Sequence, residues 1–405
     1  MRSSIKENRV PLWRKEFVFL IIVSIINFIG LGMTLPLITG FAISLGASLS
    51  LAGLLFGLYP IFALIGTPFG SAIGDKYNKR NILIVALVLN GLAMTLYAFI
   101  PNIGLLVPLR IVHGIFFSVC GTISFAIGTE YIPEERMAEG IGFLGIGQIV
   151  GMAIGPNIGI FLVENFSYEI CFLASGLFTI LAGLALLALK YTPPLKEEKK
   201  EQQNLEKKKF KLSNMLAVEL LPNVAFVGIF MLCGALITSF LVLFGAERGI
   251  PNIGLYFTIH AIIVVVTRPF IGRFVDKKGV SFAILPGFIL ASLAMFVIGS
   301  AYSMWMIVIA AILIAVGAGG GMPAIQADCV MRLGRARSAV ASGTFMIGLD
   351  IGMTIGPIIG GVLADNYGFN TMFYAAGALL LVGFLLYMFY NKSSGKRAIA
   401  KSLAE

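Results

Sequence analysis

Long apolar runs are the feature of this sequence that most restricts how the chain can fold. A helix needs about 20 apolar residues to cross the roughly 30 Å hydrocarbon core of a bilayer. Only 12% of the 405 residues are charged and 58% are hydrophobic, so a soluble fold would lack polar residues for its surface. Twelve such runs follow one another in six pairs, about 17–40 and 50–74, 81–100 and 105–128, 138–163 and 168–190, 216–244 and 252–275, 281–301 and 303–327, 338–364 and 370–390. We therefore predict an all-α integral membrane protein with twelve transmembrane helices.

Basic residues are distributed unevenly between the two ends of these runs. If the N-terminus is cytoplasmic, all but two of the 30 Lys and Arg residues fall on the cytoplasmic side, the exceptions being Arg110 and Arg248. This is the positive-inside pattern. The net charge of +10 therefore reports orientation, and we expect no nucleic-acid partner. We predict a multi-pass protein of the plasma (inner) membrane with both termini cytoplasmic and an uncleaved first helix.

One polar segment, from Thr192 to Asn214, divides the runs into two sets of six. It is dense in charge, which is typical of a solvated linker. We predict an N-terminal six-helix bundle over 1–191, a cytoplasmic linker over 192–214, a C-terminal six-helix bundle over 215–391 and a cytoplasmic tail over 392–405.

The two halves repeat a glycine–proline pattern at an offset of 201 residues. Six spans per half give both halves the same orientation, so they are parallel repeats about an axis along the membrane normal. Glycines one turn apart let another backbone approach closely, and the proline bends its helix. We therefore predict a bendable seam where the halves meet. The seam residues are Gly151, Gly155 and Pro156, and their copies Gly352, Gly356 and Pro357.

A loop after the second run carries a second repeated pattern. It reads SAIGDKYNKR from Ser71 to Arg80, and GRFVDKKG from Gly272 to Gly279 in the second half. Both resemble the loop signature of the major facilitator superfamily, and the resemblance extends over essentially the whole chain. It implies the major facilitator fold of two parallel six-helix repeats. Asn78 replaces a glycine of that signature, and we expect it to adopt the left-handed conformation of a tight turn.

The resemblance also implies a cytoplasmic latch. Asp75 would cap the positive N-terminal end of the eleventh helix, and Lys79 or Arg80 would reach Glu130. The alternative is that these residues are ordinary basic anchors of the cytoplasmic face. The residues assigned to the latch are Ser71, Asp75, Lys76, Asn78, Lys79, Arg80, Glu130, Gly272, Asp276, Lys277 and Gly279.

Two further segments resemble signatures of the same superfamily. RIVHG, from Arg110 to Gly114, resembles the fourth-span element associated with proton coupling. The alternative for Arg110 is snorkelling toward the periplasmic interface. GMAIGPNIG, from Gly151 to Gly159, resembles the fifth-span signature that marks exporters. Its alternative is plain helix packing.

Asp350 is the deepest acid within the runs. It lies thirteen residues after Arg337, which is roughly 20 Å of helix. Since an apolar environment favours the neutral form of a carboxyl group, we expect Asp350 to take up and release a proton, with Arg110 as its partner. The alternative is a structural acid held by hydroxyls or by Arg110. Polar residues assigned to a substrate cavity are Asn27, His113, Gln148, His260 and Gln326.

Other sources of energy and chemistry are not indicated. The sequence has no Gly-x4-Gly-Lys-Ser/Thr pattern, so ATP is not the expected driver. The two histidines lie on different runs, and the four cysteines lie singly, so we expect no metal, cofactor or disulfide.

Together these features predict a proton-coupled antiporter, not an enzyme, that exports small amphipathic or hydrophobic molecules as a monomer. The resemblance is to the drug:proton antiporter-1 group. Two alternatives remain open. One is a proton-coupled symporter that takes up a small metabolite, and the other is a transporter-like receptor or lipid translocase.

Overall fold

The computed structural model describes residues 12–133, 136–191, 217–334 and 337–402, in which every regular element is a helix. The predicted linker 192–214 lies outside these ranges. One long helix, Ser338–Ser402, bends at Gly368, and we call its two arms α11 and α12. The others are α1 (Lys15–Ser44, with a 3-10 turn at Leu35–Leu37), α2 (Leu49–Lys76), α3 (Lys79–Leu96), α4 (Ile103–Glu130), α5 (Met137–Leu144 and Ile146–Asn165), α6 (Tyr168–Ala185), α7 (Leu221–Arg248), α8 (Leu255–Lys278), α9 (Ser281–Gly299) and α10 (Met304–Leu333).

Ten helical stretches of the described chain are long and apolar enough to cross a membrane. The longest, Val340–Lys392, has 53 residues, which at 1.5 Å per residue is about 80 Å and exceeds twice the bilayer core. Gly368 has a φ of +81°, a conformation that glycine adopts without steric cost, so the chain bends there into two spans. A shorter apolar stretch in α8, Leu255–Arg268, brings the number of spans in the described chain to twelve. The predicted twelve-helix fold is confirmed.

Asn78 does not adopt the left-handed conformation expected of it. Its φ is −65°, and its side-chain oxygen accepts the backbone N–H of Asn81 at 3.3 Å. It therefore acts as the N-cap of α3, a role that asparagine fills well. In the second copy the glycine is kept as Gly279, whose φ is +86°.

The two halves touch through one end of the molecule. We call the end with Ser44 and Leu49 the distal end, and the end with Lys15 and Lys76 the terminal end. At the distal end α2 packs on α11, α5 on α8, and the end of α1 on α7. Toward the terminal end, a Cβ on Gly142 of α5 or on Gly272 of α8 would meet open space. A cleft between the halves is therefore closed at the distal end and open at the terminal end.

We predicted that the repeated glycines lie where the two halves meet. In the structure they instead pack inside each half. A Cβ on Gly155 would lie 2.5 Å from the carbonyl oxygen of Ile29 on α1, and one on Gly356 would lie 2.6 Å from that of Leu232 on α7. Gly151 and Gly352 face α1 and α7 in the same way. The glycine face thus brings α5 against α1 and α11 against α7.

Contacts between the halves use the other face of these helices. The carbonyl oxygen of Pro357 on α11 lies against Gly53 of α2. On α5, the ring of Pro156 instead lies beside Gly32 of α1, within its own half. Glycine spacing in a sequence indicates a close approach, but it does not indicate which neighbouring helix approaches.

Candidate functional site

Arg110 is fully buried on α4 and does not reach the surface. Its Nε donates to the carbonyl oxygen of Leu55 and its Nη2 to that of Phe56, both at 3.0 Å. In a regular helix the Phe56 carbonyl would accept the N–H of residue 60, but Pro60 has none. The guanidinium therefore occupies a carbonyl that the proline leaves free in α2, and its Cζ lies 5.0 Å from the centre of the Tyr59 ring.

His113 was predicted to line a substrate cavity, but it lies inside the N-terminal half. It is fully buried, and its Nδ1 is 2.9 Å from the hydroxyl of Tyr97, which follows α3. Its ring centre is 4.9 Å from that of Tyr59. Since His113 is three residues after Arg110, both side chains leave α4 on the same face and enter the same aromatic cluster.

This cluster contains buried polar atoms without a hydrogen-bond partner. They are Arg110 Nη1, Tyr59 Oη and His113 Nε2, each unpartnered in the described part of the chain. Buried polar atoms are usually paired, so a group of unpaired ones calls for an explanation such as bound water or a functional role.

Asp350 lies beside the contact between α2 and α11. It is half-buried and seven residues before Pro357, so it shares the face of α11 that meets α2. Arg110 and Asp350 do not form an ion pair among the described residues. The two residues predicted to act together in proton coupling are therefore not in contact in this state.

The remaining predicted cavity residues lie on four different helices and differ in exposure. Asn27 on α1 is 9% exposed, Gln326 on α10 is half-buried, and Gln148 on α5 is exposed. His260 on α8 is half-buried, and its ring stacks on Tyr256 with centres 5.9 Å apart. Among the described residues, no three His, Cys, Asp or Glu side chains are grouped as metal ligands.

Part of the predicted latch forms a network within one half. Lys79 Nζ is paired with Glu130 Oε1, and the hydroxyl of Tyr191 donates to Glu130 Oε2 at 2.7 Å. Burial and the neighbouring Glu130 raise the pKa of Tyr191, so it remains a donor. Arg80 does not reach Glu130, because its Nε donates to the carbonyl oxygen of Leu186 at 2.8 Å. These contacts tie α3 and α4 to the end of α6.

The other latch residues lie at the terminal ends of α2 and α8. Ser71 Oγ donates within α2 to the carbonyl oxygen of Thr67 at 3.3 Å, while Lys76 and Lys277 are exposed. The side chains of Asp75 and Asp276 lie outside what the structure describes.

Two charged groups were not singled out from the sequence. Asp328 of α10 is 5% exposed and accepts bonds from Asn223 Nδ2 and Arg332 Nε, both at 2.7 Å. In the sequence, the spacing of four residues between Asp328 and Arg332 could have indicated this ion pair. Arg268 lies thirteen residues into α8, well inside the helix and not in the loop with the other basic residues.

Comparisons with known proteins agree with this architecture. A family model described as Major Facilitator Superfamily matches residues 20–252 and 249–404. The multi-drug resistance efflux pump PmrA of Streptococcus pneumoniae is 25% identical over 345 residues, covering 80% of this chain and 82% of that protein. The staphylopine export protein of Staphylococcus aureus is 25% identical over 361 residues, covering 84% and 86%.

Among solved structures, the nucleoside transporter NupG superposes with a TM-score of 0.75 at 13% identity, covering 93% of this chain and 98% of that one. This likeness concerns the fold. The family model accounts for nearly the whole sequence in two consecutive matches. The chain therefore belongs to the Major Facilitator Superfamily.

Proposed function

We propose that this protein is a proton-coupled antiporter that exports small amphipathic or hydrophobic molecules. In this proposal it works as a monomer in the plasma membrane with both termini cytoplasmic. The bundles 1–191 and 215–391 move against each other, joined by the linker 192–214. Support comes from relatives named for multi-drug efflux and for staphylopine export, each covering four fifths or more of the chain.

The observation that carries the proposal is the cleft that is closed at one end and open at the other. Alternating access requires two such states, one open to each side. With the terminal end in the cytoplasm, the described state is inward-open. A symporter would use the same two states, so the cleft by itself leaves the direction open. The export relatives favour antiport over uptake.

Asp350 is the proposed proton carrier. In the inward-open state it is half-buried beside the contact between α2 and α11, with the cleft open toward the terminal end. If the terminal ends closed over it, lost solvation would favour the neutral acid. Asp350 would therefore release its proton inward and gain one from outside, while substrate moves outward.

Arg110 is proposed as a positioning residue. Its charge lies against the ring of Tyr59 on α2, the helix that packs on α11, which carries Asp350. A fixed cation on this side favours the ionised carboxylate and so promotes proton release. Because Arg110 also holds the Phe56 carbonyl, it links this electrostatic effect to the shape of α2.

The test is gradient-driven transport in proteoliposomes. We expect Asp350→Asn to lose uphill accumulation driven by a pH gradient and the accompanying proton movement, yet to retain substrate counterflow. Glu164→Gln, which neutralises an exposed acid on α5, is the matched control and should behave like the wild type. Full uphill accumulation by Asp350→Asn would refute the coupling role.

A further inference from the structure

We propose that the cleft selects amphipathic molecules that carry both a carboxylate and a positive charge. Arg268 would bind the carboxylate on one flank, and Asp350 would bind the positive end on the other. The inference rests on the proposed function and names the substrate class of the same cleft.

The exposed residues of α8 form two faces. One faces lipid, and the other, which carries Arg268, faces the cleft. Ile262, Val266 and Phe270, four residues apart, are each more than half exposed and form an apolar stripe suited to lipid. Arg268 lies midway between Val266 and Phe270 and therefore points to the opposite side. It shares the second exposed face with Val265 and Gly272.

The second exposed face of α8 is the one that meets the other half of the protein. At the distal end, Thr258 Oγ1 donates to the carbonyl oxygen of Ala153 on α5 at 2.9 Å. Val265 and Gly272 follow Thr258 at intervals of seven residues, which returns to the same side of the helix. Where α5 and α8 separate, this face lines the cleft, and Arg268 lies on it.

Arg268 has no hydrogen-bond or ion-pair partner among the residues that the structure describes. It is ten residues from the terminal end of α8, about 15 Å. An arginine at such depth is costly in lipid and normally faces a cavity or a partner. Its depth, face and lack of a partner together make it a binding group for an anion that enters the cleft.

Asp350 lies at nearly the same depth on the opposite flank. It is twelve residues from the start of the helix at Ser338, about 18 Å. Asp350 is on α11 next to α2, whereas Arg268 is on α8 next to α5. The cleft therefore has a cationic and an acidic flank, and the exposed amide of Gln148 on α5 lies on the cationic one.

The chemistry of the two groups defines the substrate class. A guanidinium binds a carboxylate through two parallel hydrogen bonds. A molecule with only a positive charge would leave Arg268 unpaired in the closing cleft, at a cost in binding free energy. A zwitterion pairs both groups. Its positive end would also compete with a proton for Asp350, which gives the exchange that antiport requires.

The test compares two dyes that differ in one carboxylate. Rhodamine B carries a free carboxylate and a cationic ring system, while its methyl ester keeps only the cation. Binding is measured by fluorescence polarisation in nanodiscs without a pH gradient. We expect wild type to prefer rhodamine B. Arg268→Gln should weaken rhodamine B about tenfold without weakening the ester, and Asp350→Asn should weaken both.

Arg273→Gln is the matched control. Arg273 is an exposed arginine on the same helix, three residues after Phe270 and so on the lipid-facing stripe, and its loss should change neither affinity. Arg268→Lys keeps the charge and should restore part of the rhodamine B affinity, which separates a lost contact from misfolding. Equal loss of both dyes in Arg268→Gln, no loss of either, or no binding to wild type would overturn the proposal. The expected binding without gradient-driven transport would refute proton coupling alone.

Discussion

The two contacts between the halves, α2 with α11 and α5 with α8, occupy equivalent positions in the repeat but differ in chemistry. In the first, backbones touch: a Cβ on Gly57 would lie 2.9 Å from the carbonyl oxygen of Thr354. In the second, Asn157 Nδ2 donates to Thr258 Oγ1 at 2.7 Å. Thr258 stands 201 residues after Gly57. One repeat position thus serves backbone packing in one contact and a side-chain hydrogen bond in the other.

The distal ends of the same two contacts differ in a similar way. Asp365 of α11 accepts a hydrogen bond from Ser50 Oγ at 2.7 Å, at the N-terminal end of α2. In the other contact, the residues at the equivalent positions of the repeat are Glu164 and Pro251. Proline has neither a hydroxyl nor an N–H to donate. The repeat therefore fixes where the halves meet, while single substitutions decide how firmly each side holds.

The largest effect is expected from filling the backbone contact. Gly53→Leu would place a side chain where the Pro357 carbonyl oxygen lies, and overpacking of this kind typically costs about 1–3 kcal/mol. The distal end should then open, and cysteines placed there should react with impermeant reagents. Gly142→Leu, at a position with open space, is the control. Unchanged reactivity in Gly53→Leu would mean that this contact is not part of the closed distal end.

An intermediate effect is expected from the polar contact. Asn157→Ala removes a hydrogen bond worth about 1 kcal/mol, so the ratio of distal-open to distal-closed molecules should rise about fivefold. Thr258→Val should produce a similar change, and the double variant should add little because both remove the same bond. Fully additive effects would show that the two side chains act independently. Single-molecule fluorescence across the distal end measures the ratio.

The smallest effect is expected from the exposed carboxylate at the distal end. Asp365→Asn weakens the acceptor for Ser50 and should shift the same ratio about two- to threefold toward the open state. Glu164→Gln should produce no shift, because Pro251 cannot donate to it. An equal shift in both variants would contradict the asymmetry between the two contacts.

Sequence was sufficient for the fold because length and composition dictate it. Runs of about 20 apolar residues have few alternatives to membrane helices, and the repeat fixes the relation of the halves. The structure also pairs Lys79 with Glu130. The sequence indicated this pair through opposite charges at the ends of neighbouring helices.

Side-chain direction was harder to predict. Polarity led us to expect His113 in the cleft, but its position beside Arg110 places it in the aromatic cluster of its own half. Arg268 falls within the predicted run 252–275, but it was counted with the basic residues of the cytoplasmic side, and this obscured its depth in the helix. The role of Pro60 in freeing the Phe56 carbonyl for Arg110 depends on which helices are neighbours, and a single sequence does not show this.

The most direct test of the account is to measure both ends of the cleft in the same protein. Spin labels on Gly142→Cys and Gly272→Cys report the terminal end, where added side chains meet open space, and labels on Phe161→Cys and Leu255→Cys, both exposed, report the distal end. Distance distributions are recorded by double electron–electron resonance at acidic, neutral and alkaline pH. The account predicts opposite changes, with the terminal distance shortening in every condition that lengthens the distal one. Distances that change together, or that never change, would contradict alternating access through this cleft.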